Sequence, residues 1–111
     1  MKARFIKYLE DQAQNMTIGK QYIVLGIEGD SFRVTCDENE PYLYEPEQFE
    51  IIDSEMPKFW LSEKGEDGEL YAYPPPWFRN YFFEDYFDNV KGKKEQFWAT
   101  CKKYYGINKN V

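Results

Sequence analysis

Residues 17–53 read TIGKQYIVLGIEGDSFRVTCDENEPYLYEPEQFEIID, and the reading of this stretch decides the fold. QYIVLGIE is rich in β-branched and aromatic residues and ends at Glu28-Gly29-Asp30, where the glycine permits positive φ. SFRVTCD follows, with Phe32, Val34 and Cys36 alternating against Ser31, Arg33 and Thr35. That period of two predicts a strand with one face buried and one in solvent. The two runs make a hairpin. DENEP is a polar turn. PYLYEP is a short strand opened and closed by proline, which places it at a sheet edge or strand end. EPEQF suits one tight helical turn, and EIID is a last strand.

This order resembles an SH3-like barrel. Ile18-Gly19-Lys20-Gln21-Tyr22-Ile23-Val24-Leu25 matches the segment that leads into a barrel strand. Tyr42-Leu43-Tyr44, then Glu45 to Phe49, then Glu50-Ile51-Ile52 match the closing strand, proline-bearing 3₁₀ turn and final strand. The pattern also resembles small bacterial and phage proteins, over about half of the chain. The resemblance implies a groove walled by aromatic side chains, to which Pro46, Phe49 and, from the first strand, Tyr8 correspond. A peptide-binding SH3 domain carries tryptophan at the start of its third strand. This chain has Ser31-Phe32 there and lacks a dense acidic loop after its first strand, so recognition of external proline-rich peptides is not expected.

Residues 1–16 admit two readings. Phe5, Ile6, Leu9, Ala13 and Met16 fall within about 100° on a helical wheel, which suits an amphipathic helix. The resemblance instead makes KARFIKYL the first barrel strand, with Arg4, Ile6 and Tyr8 on one face and Ala3, Phe5 and Lys7 on the other. The strand is favoured because a barrel needs it to close an edge.

After Asp53 the composition changes. KFWLS and ELYAY flank EKGEDG, which predicts a second hairpin with a solvated acidic turn. Pro74-Pro75-Pro76 predicts an extended polyproline II segment, and the rigid Tyr73–Trp77 run is expected to pack against the first half of the chain. In FFEDYFD, a strand would mix rings and carboxylates on both faces. A short helix instead gathers Phe82, Phe83, Tyr86 and Phe87 within about 140° and sets Glu84, Asp85 and Asp88 opposite. A final helix is expected from about Val90 to Tyr105, with Asp88 as N-cap and Gly106 as the stop. Its inward stripe is Phe97, Trp98, Cys101, Tyr104 and Tyr105. The expected class is therefore α+β: an SH3-like five-stranded barrel over residues 1–53, then an aromatic-rich extension over 54–111 of hairpin, polyproline segment and helices. The two are expected to form one compact unit.

Charge and composition narrow the function. The 111 residues carry a net charge of −6, two cysteines and no histidine. A Ser-His-Asp or Cys-His mechanism is thus impossible within this chain. No Gly-rich phosphate loop or nucleophile elbow occurs either. The cysteines belong to no metal-binding or disulfide pattern and are expected to be idle thiols in a reducing cytoplasm. No apolar run approaches the ~20 residues of a membrane span. Residues 1–88 hold 8 basic and 19 acidic side chains, whereas 89–111 hold 6 basic and 1 acidic. Like charge repels phosphates, so nucleic-acid binding by the main body is not expected. An acidic body instead attracts a basic partner and speeds its arrival. The expected role is a small acidic, non-enzymatic, cofactor-free protein-binding module. Inhibition or regulation of a basic protein, as by an immunity protein, is one form of it. The expected contact residues are Tyr8, Pro46, Phe49, Glu84, Asp85 and Asp88. The competing reading is a divalent-metal or hydrolase site built from Glu84, Asp85 and Asp88, in which Glu84 and Asp88 are neighbours on a helix.

Overall fold

A computed structural model describes residues 1–109 as eight strands, two 3₁₀ turns and two helices. Strand β1 is Lys2–Phe5, β2 Gln21–Ile23, β3 Gly26–Glu28, β4 Ser31–Thr35, β5 Pro41–Tyr44 and β6 Phe49–Asp53. The second hairpin is β7 Leu61–Lys64 and β8 Leu70–Tyr73, and the helices are α1 Phe82–Phe87 and α2 Lys93–Tyr105. The N-terminal segment is thus a strand, with Ala3 and Phe5 on its buried side.

The strands form two open sheets, one ordered β2-β1-β6 and the other β5-β4-β3-β8-β7. This differs from the single closed ring of five strands expected from the sequence. The reason lies at Val24-Leu25, between β2 and β3. The Val24 N–H donates to the Met1 carbonyl at 3.0 Å, while the Leu25 N–H donates to the Arg33 carbonyl at 2.8 Å. Consecutive amides therefore serve different sheets, and the chain passes from one to the other in a single step. On the far side of β3, hairpin β7–β8 takes the free edge through Ile27↔Ala72 and Glu28↔Tyr71. Gly26 makes that approach possible: a Cβ there would lie 2.1 Å from the Tyr73 ring. β5 is an edge strand, as its flanking prolines require.

Two hydrophobic clusters result. One holds Phe5, Val24, Phe32, Val34, Tyr44 and Phe49 among others; the second holds Leu25, Tyr73, Trp77, Phe83, Phe97 and Cys101 among others. Neighbouring residues of the chain part between them. Val24 goes to the first and Leu25 to the second, as do Ala72 and Tyr73. The five-stranded sheet is therefore covered on both faces, by the small sheet on one and by the helices on the other. That overturns the expected solvent face of β4, where Arg33 is only 4% exposed.

The C-terminal half departs from expectation in three further places. Only Pro74 is extended, with φ −56° and ψ 152°; Pro75–Trp77 is a 3₁₀ turn. Proline's fixed φ suits either conformation, and the turn drives Trp77 into the second cluster. Helix α1 buries Phe82, Phe83 and Tyr86, but Phe87 is 41% exposed. Its ring stacks on Tyr42 at 5.6 Å instead. Five residues on from Phe82 is about 140° round the helix, beyond the inward arc. Asp88 does not cap α2; it ends α1, its N–H donating to the Glu84 carbonyl. Helix α2 starts three residues later than expected, from Gly92 at φ 85°. Gly106 stops it at φ 67°, as expected.

Candidate functional site

A cleft of about 470 Å³ lies on the helix-covered face of the five-stranded sheet. Its floor is set by strand register. Glu28 pairs with Tyr71 across β3–β8, and Tyr71 pairs with Glu63 across β8–β7. Side chains directly opposite share a face, so Glu28, Tyr71 and Glu63 form one row across three strands. Tyr73 lies two residues along from Tyr71 on the same face. Trp77 and Phe78 come from the 3₁₀ turn, Phe83 and Glu84 from α1, and Arg79 to Tyr81 form the connecting loop at the rim.

Arg33, on the same face one strand beyond Glu28, lies beside this floor. Its Nη2 donates to Glu28 Oε1 at 3.0 Å, its Nε to Tyr73 Oη at 3.0 Å, and its Nη1 to the Pro41 carbonyl at 2.9 Å. Tyr73 Oη donates in turn to Glu28 Oε1 at 2.9 Å. The guanidinium lies 4.1 Å from the Phe83 ring centroid. A buried charge survives only when paired and hydrogen-bonded in this way. Burial pushes the Tyr73 phenol far up; the nearby guanidinium only partly opposes that. Tyr73 is therefore a neutral donor at ordinary pH. Trp77 Nε1 is buried without a hydrogen-bond partner among the described residues.

The rim is different. Arg79 lies over Phe78, 5.1 Å from its ring centroid, and forms an ion pair with Glu63. That pair holds the Glu63 carboxyl below the usual range, the Arg79 hydrogen bond being the main cause. Arg79 and Tyr81 both have left-handed backbone, at φ 57° and 54°. For bulky residues that conformation is uncommon. Asn80 between them braces the turn: its Nδ2 donates to the Pro76 carbonyl, and its Oδ1 accepts the Phe82 N–H at 3.1 Å. Tyr81 is 77% exposed.

The six contact residues expected from the sequence do not converge. Tyr8 is half-buried, packs edge-on against Phe5 at 4.8 Å, and has its hydroxyl bonded to the Met16 backbone. Pro46 opens the first 3₁₀ turn and is half-buried. Phe49 is only 6% exposed and belongs to the first cluster, so it is a core residue rather than a groove wall. Glu84 lines the large cleft and also a neighbouring one of about 280 Å³, whose wall includes Asp88. Asp85 lines neither of these two. Among the described residues no three His, Cys, Asp or Glu side chains are grouped to hold a metal ion, which leaves the competing Glu84–Asp85–Asp88 metal reading without a ligand set.

Sequence reasoning missed Arg33, Glu28, Tyr73, Glu63 and Arg79. One signal was present. In the hairpin, Arg33 pairs with Gly26 and Ser31 with Glu28, so Arg33 and Glu28 are diagonal neighbours on one face. An opposite-charge diagonal with a lone arginine between Phe32 and Val34 marks a place where that face has a partner.

A separate polar knot closes the long loop between β1 and β2. Asp37 accepts from Thr17 Oγ1 at 2.6 Å, Lys20 Nζ at 2.9 Å and Tyr22 Oη at 2.8 Å. Burial pushes its carboxyl up, but the three hydrogen bonds together outweigh that and hold it below the usual range. Both cysteines are buried free thiols, and burial pushes Cys101 up to about 12. No helix among the described residues is long and apolar enough to cross a membrane. Comparison with protein-family models, with curated proteins and with solved structures finds no match to this chain.

Proposed function

We infer that the protein is a non-enzymatic module that binds a basic protein partner through the aromatic-floored cleft, in an inhibitory or regulatory role. The observation that carries this reading is the row Glu28, Tyr71, Glu63 with Glu84 on the facing helix. Aromatic faces and carboxylates together suit a cationic side chain, which gains from the ring quadrupole and from charge at once. The acidic majority of residues 1–88 would steer such a partner toward the cleft.

Residues 1–53 are read within this proposal as an SH3-like unit. What supports it is the order β1, long loop, bent β2–β3, β4, β5, 3₁₀ turn, β6. A cytoplasmic setting is part of the same reading, supported by two buried, unpaired thiols.

The test is an amide chemical-shift titration of the full chain with a short oligo-lysine peptide at low ionic strength. Shifts should centre on Glu28, Glu63, Tyr71 and Glu84, and fade as salt shortens the Debye length from about 30 Å to about 8 Å. Equal binding of an acidic peptide, or no shifts at all, would defeat the reading.

A further inference from the structure

We propose that the cleft receives an arginine side chain of the partner, and that Arg79 holds that place in the free protein as a displaceable stand-in. This rests on the basic-partner reading above.

One arrangement occurs twice here, once beside the cleft and once at its rim. Arg33 lies on the face of Phe83 at 4.1 Å and bonds Glu28 at 3.0 Å. Arg79 lies on Phe78 at 5.1 Å and pairs with Glu63. Both are a guanidinium over a phenylalanine ring with a carboxylate at its edge. That geometry suits a planar, weakly hydrated cation with a fork of donors; an ammonium fills it poorly. The chemistry that the walls recognise is therefore already displayed by the chain's own residues.

The two copies differ in how firmly they are held. Arg33 has three hydrogen-bonding partners and is buried. The Arg79 and Glu63 side chains are 64% and 37% exposed, and an exposed pair is worth little. Arg79 also sits in a loop with left-handed backbone at itself and at Tyr81. Such backbone is strained for side chains of this size, and release of the loop would relieve it. A partner arginine would replace Arg79 on Phe78 and Glu63, with Glu84 across the cleft to meet a neighbouring positive charge. While Arg79 stays in place it offsets one carboxylate and weakens binding.

The experiment compares blocked hexa-arginine and hexa-lysine peptides by calorimetry, at low ionic strength, on the wild-type chain and on Arg79→Ala, Arg79→Lys and Arg79→Ala/Glu63→Gln. Thermal unfolding of each variant checks that it is folded. Arg79→Ala should bind hexa-arginine about two- to fivefold more tightly than wild type, the factor that an exposed ion pair of roughly 0.5–1 kcal/mol corresponds to. Arg79→Lys should fall between the two, and the double variant should lose the gain. Hexa-lysine should gain less. Unchanged or weaker hexa-arginine binding by Arg79→Ala overturns the stand-in role. If salt-dependent binding then persists, the basic-partner reading stands without it. No binding of either peptide to any of the four proteins overturns both.

Discussion

The two faces of the five-stranded sheet are built from the same strands and yet held by different means. On one face Phe32 and Val34 meet Phe5, Tyr44 and Phe49 in a core of rings and aliphatics closed by the small sheet. On the other face Arg33 and Tyr73 stand between sheet and helices, and Trp77 stacks on Phe97 at 5.2 Å. The first face is sealed by apolar contact. The second combines aromatic packing with a hydrogen-bonded buried charge, and it is this face that opens into the cleft. An interior that must hold a polar group in fixed geometry is better placed to carry recognition, because each unmet hydrogen bond there is costly.

If the two faces form one cooperative unit, damage to either should melt both. Trp77→Ala and Phe5→Ala, one from each cluster, should each lower stability by about 3–5 kcal/mol. In both variants fluorescence and far-UV circular dichroism should trace one coincident transition. Separate transitions would show two independent units. Pro75→Ala should do little beside Trp77→Ala, because Pro75 is exposed.

The polar half of the comparison is sharpened by Arg33→Ala. Removing Arg33, the buried partner of this pair, leaves Glu28 with only the Tyr73 hydroxyl as its side-chain donor and takes the guanidinium from the Pro41 carbonyl, with an expected loss of about 3 kcal/mol in denaturant unfolding. A loss below about 1 kcal/mol would mean that water reaches the site freely.

The pH response should be lopsided. Burial raises Tyr44, Tyr73, Tyr86, Tyr105 and Cys101. Once the pH exceeds the ordinary thiol and phenol values of about 8.5 and 10, the unfolded chain holds fewer of these protons than the folded one. Stability should therefore fall as pH rises through that range. At the acid end, Asp37 is lowered. It contributes stability above the ordinary carboxyl value of about 3.9, and this is lost as pH falls through the lower folded value. Thermal melts from pH 3 to 11 should show the alkaline fall as the steeper. Asp37→Asn should flatten part of the acid limb and leave the alkaline one alone.

The smallest effect belongs to the ring outside both cores. Phe87→Ala should cost less than about 1 kcal/mol in the same unfolding assay, because Phe87 stays 41% exposed while it stacks on Tyr42 and meets Tyr86 edge-on. A loss comparable with Trp77→Ala would place Phe87 inside after all.

Much of this architecture was legible in local pattern. The alternation in SFRVTCD, the turn residues at Gly29-Asp30 and the ring spacing in FFEDYF each follow from backbone geometry within a few residues. The helix stop at Gly106 is of the same kind. The cleft was not legible, because its members Glu28, Glu63, Tyr73, Arg79 and Glu84 meet only through long-range pairing. Phe49 was misplaced for a related reason: an aromatic beside a proline reads the same whether it walls a groove or fills a core.

By itself the sequence determined which segments extend and which coil, that the protein is acidic, and that histidine chemistry is closed to it. Those properties depend on residue type and short-range spacing. Only the tertiary structure decided that β4 is covered on both faces, that Val24 and Leu25 point into different cores, and that two arginines rest on two phenylalanines, one at the rim of the cleft and one beside it. Alternation says which residues share a face. What comes to lie against that face depends on elements forty or more residues away, and no local preference encodes their arrival.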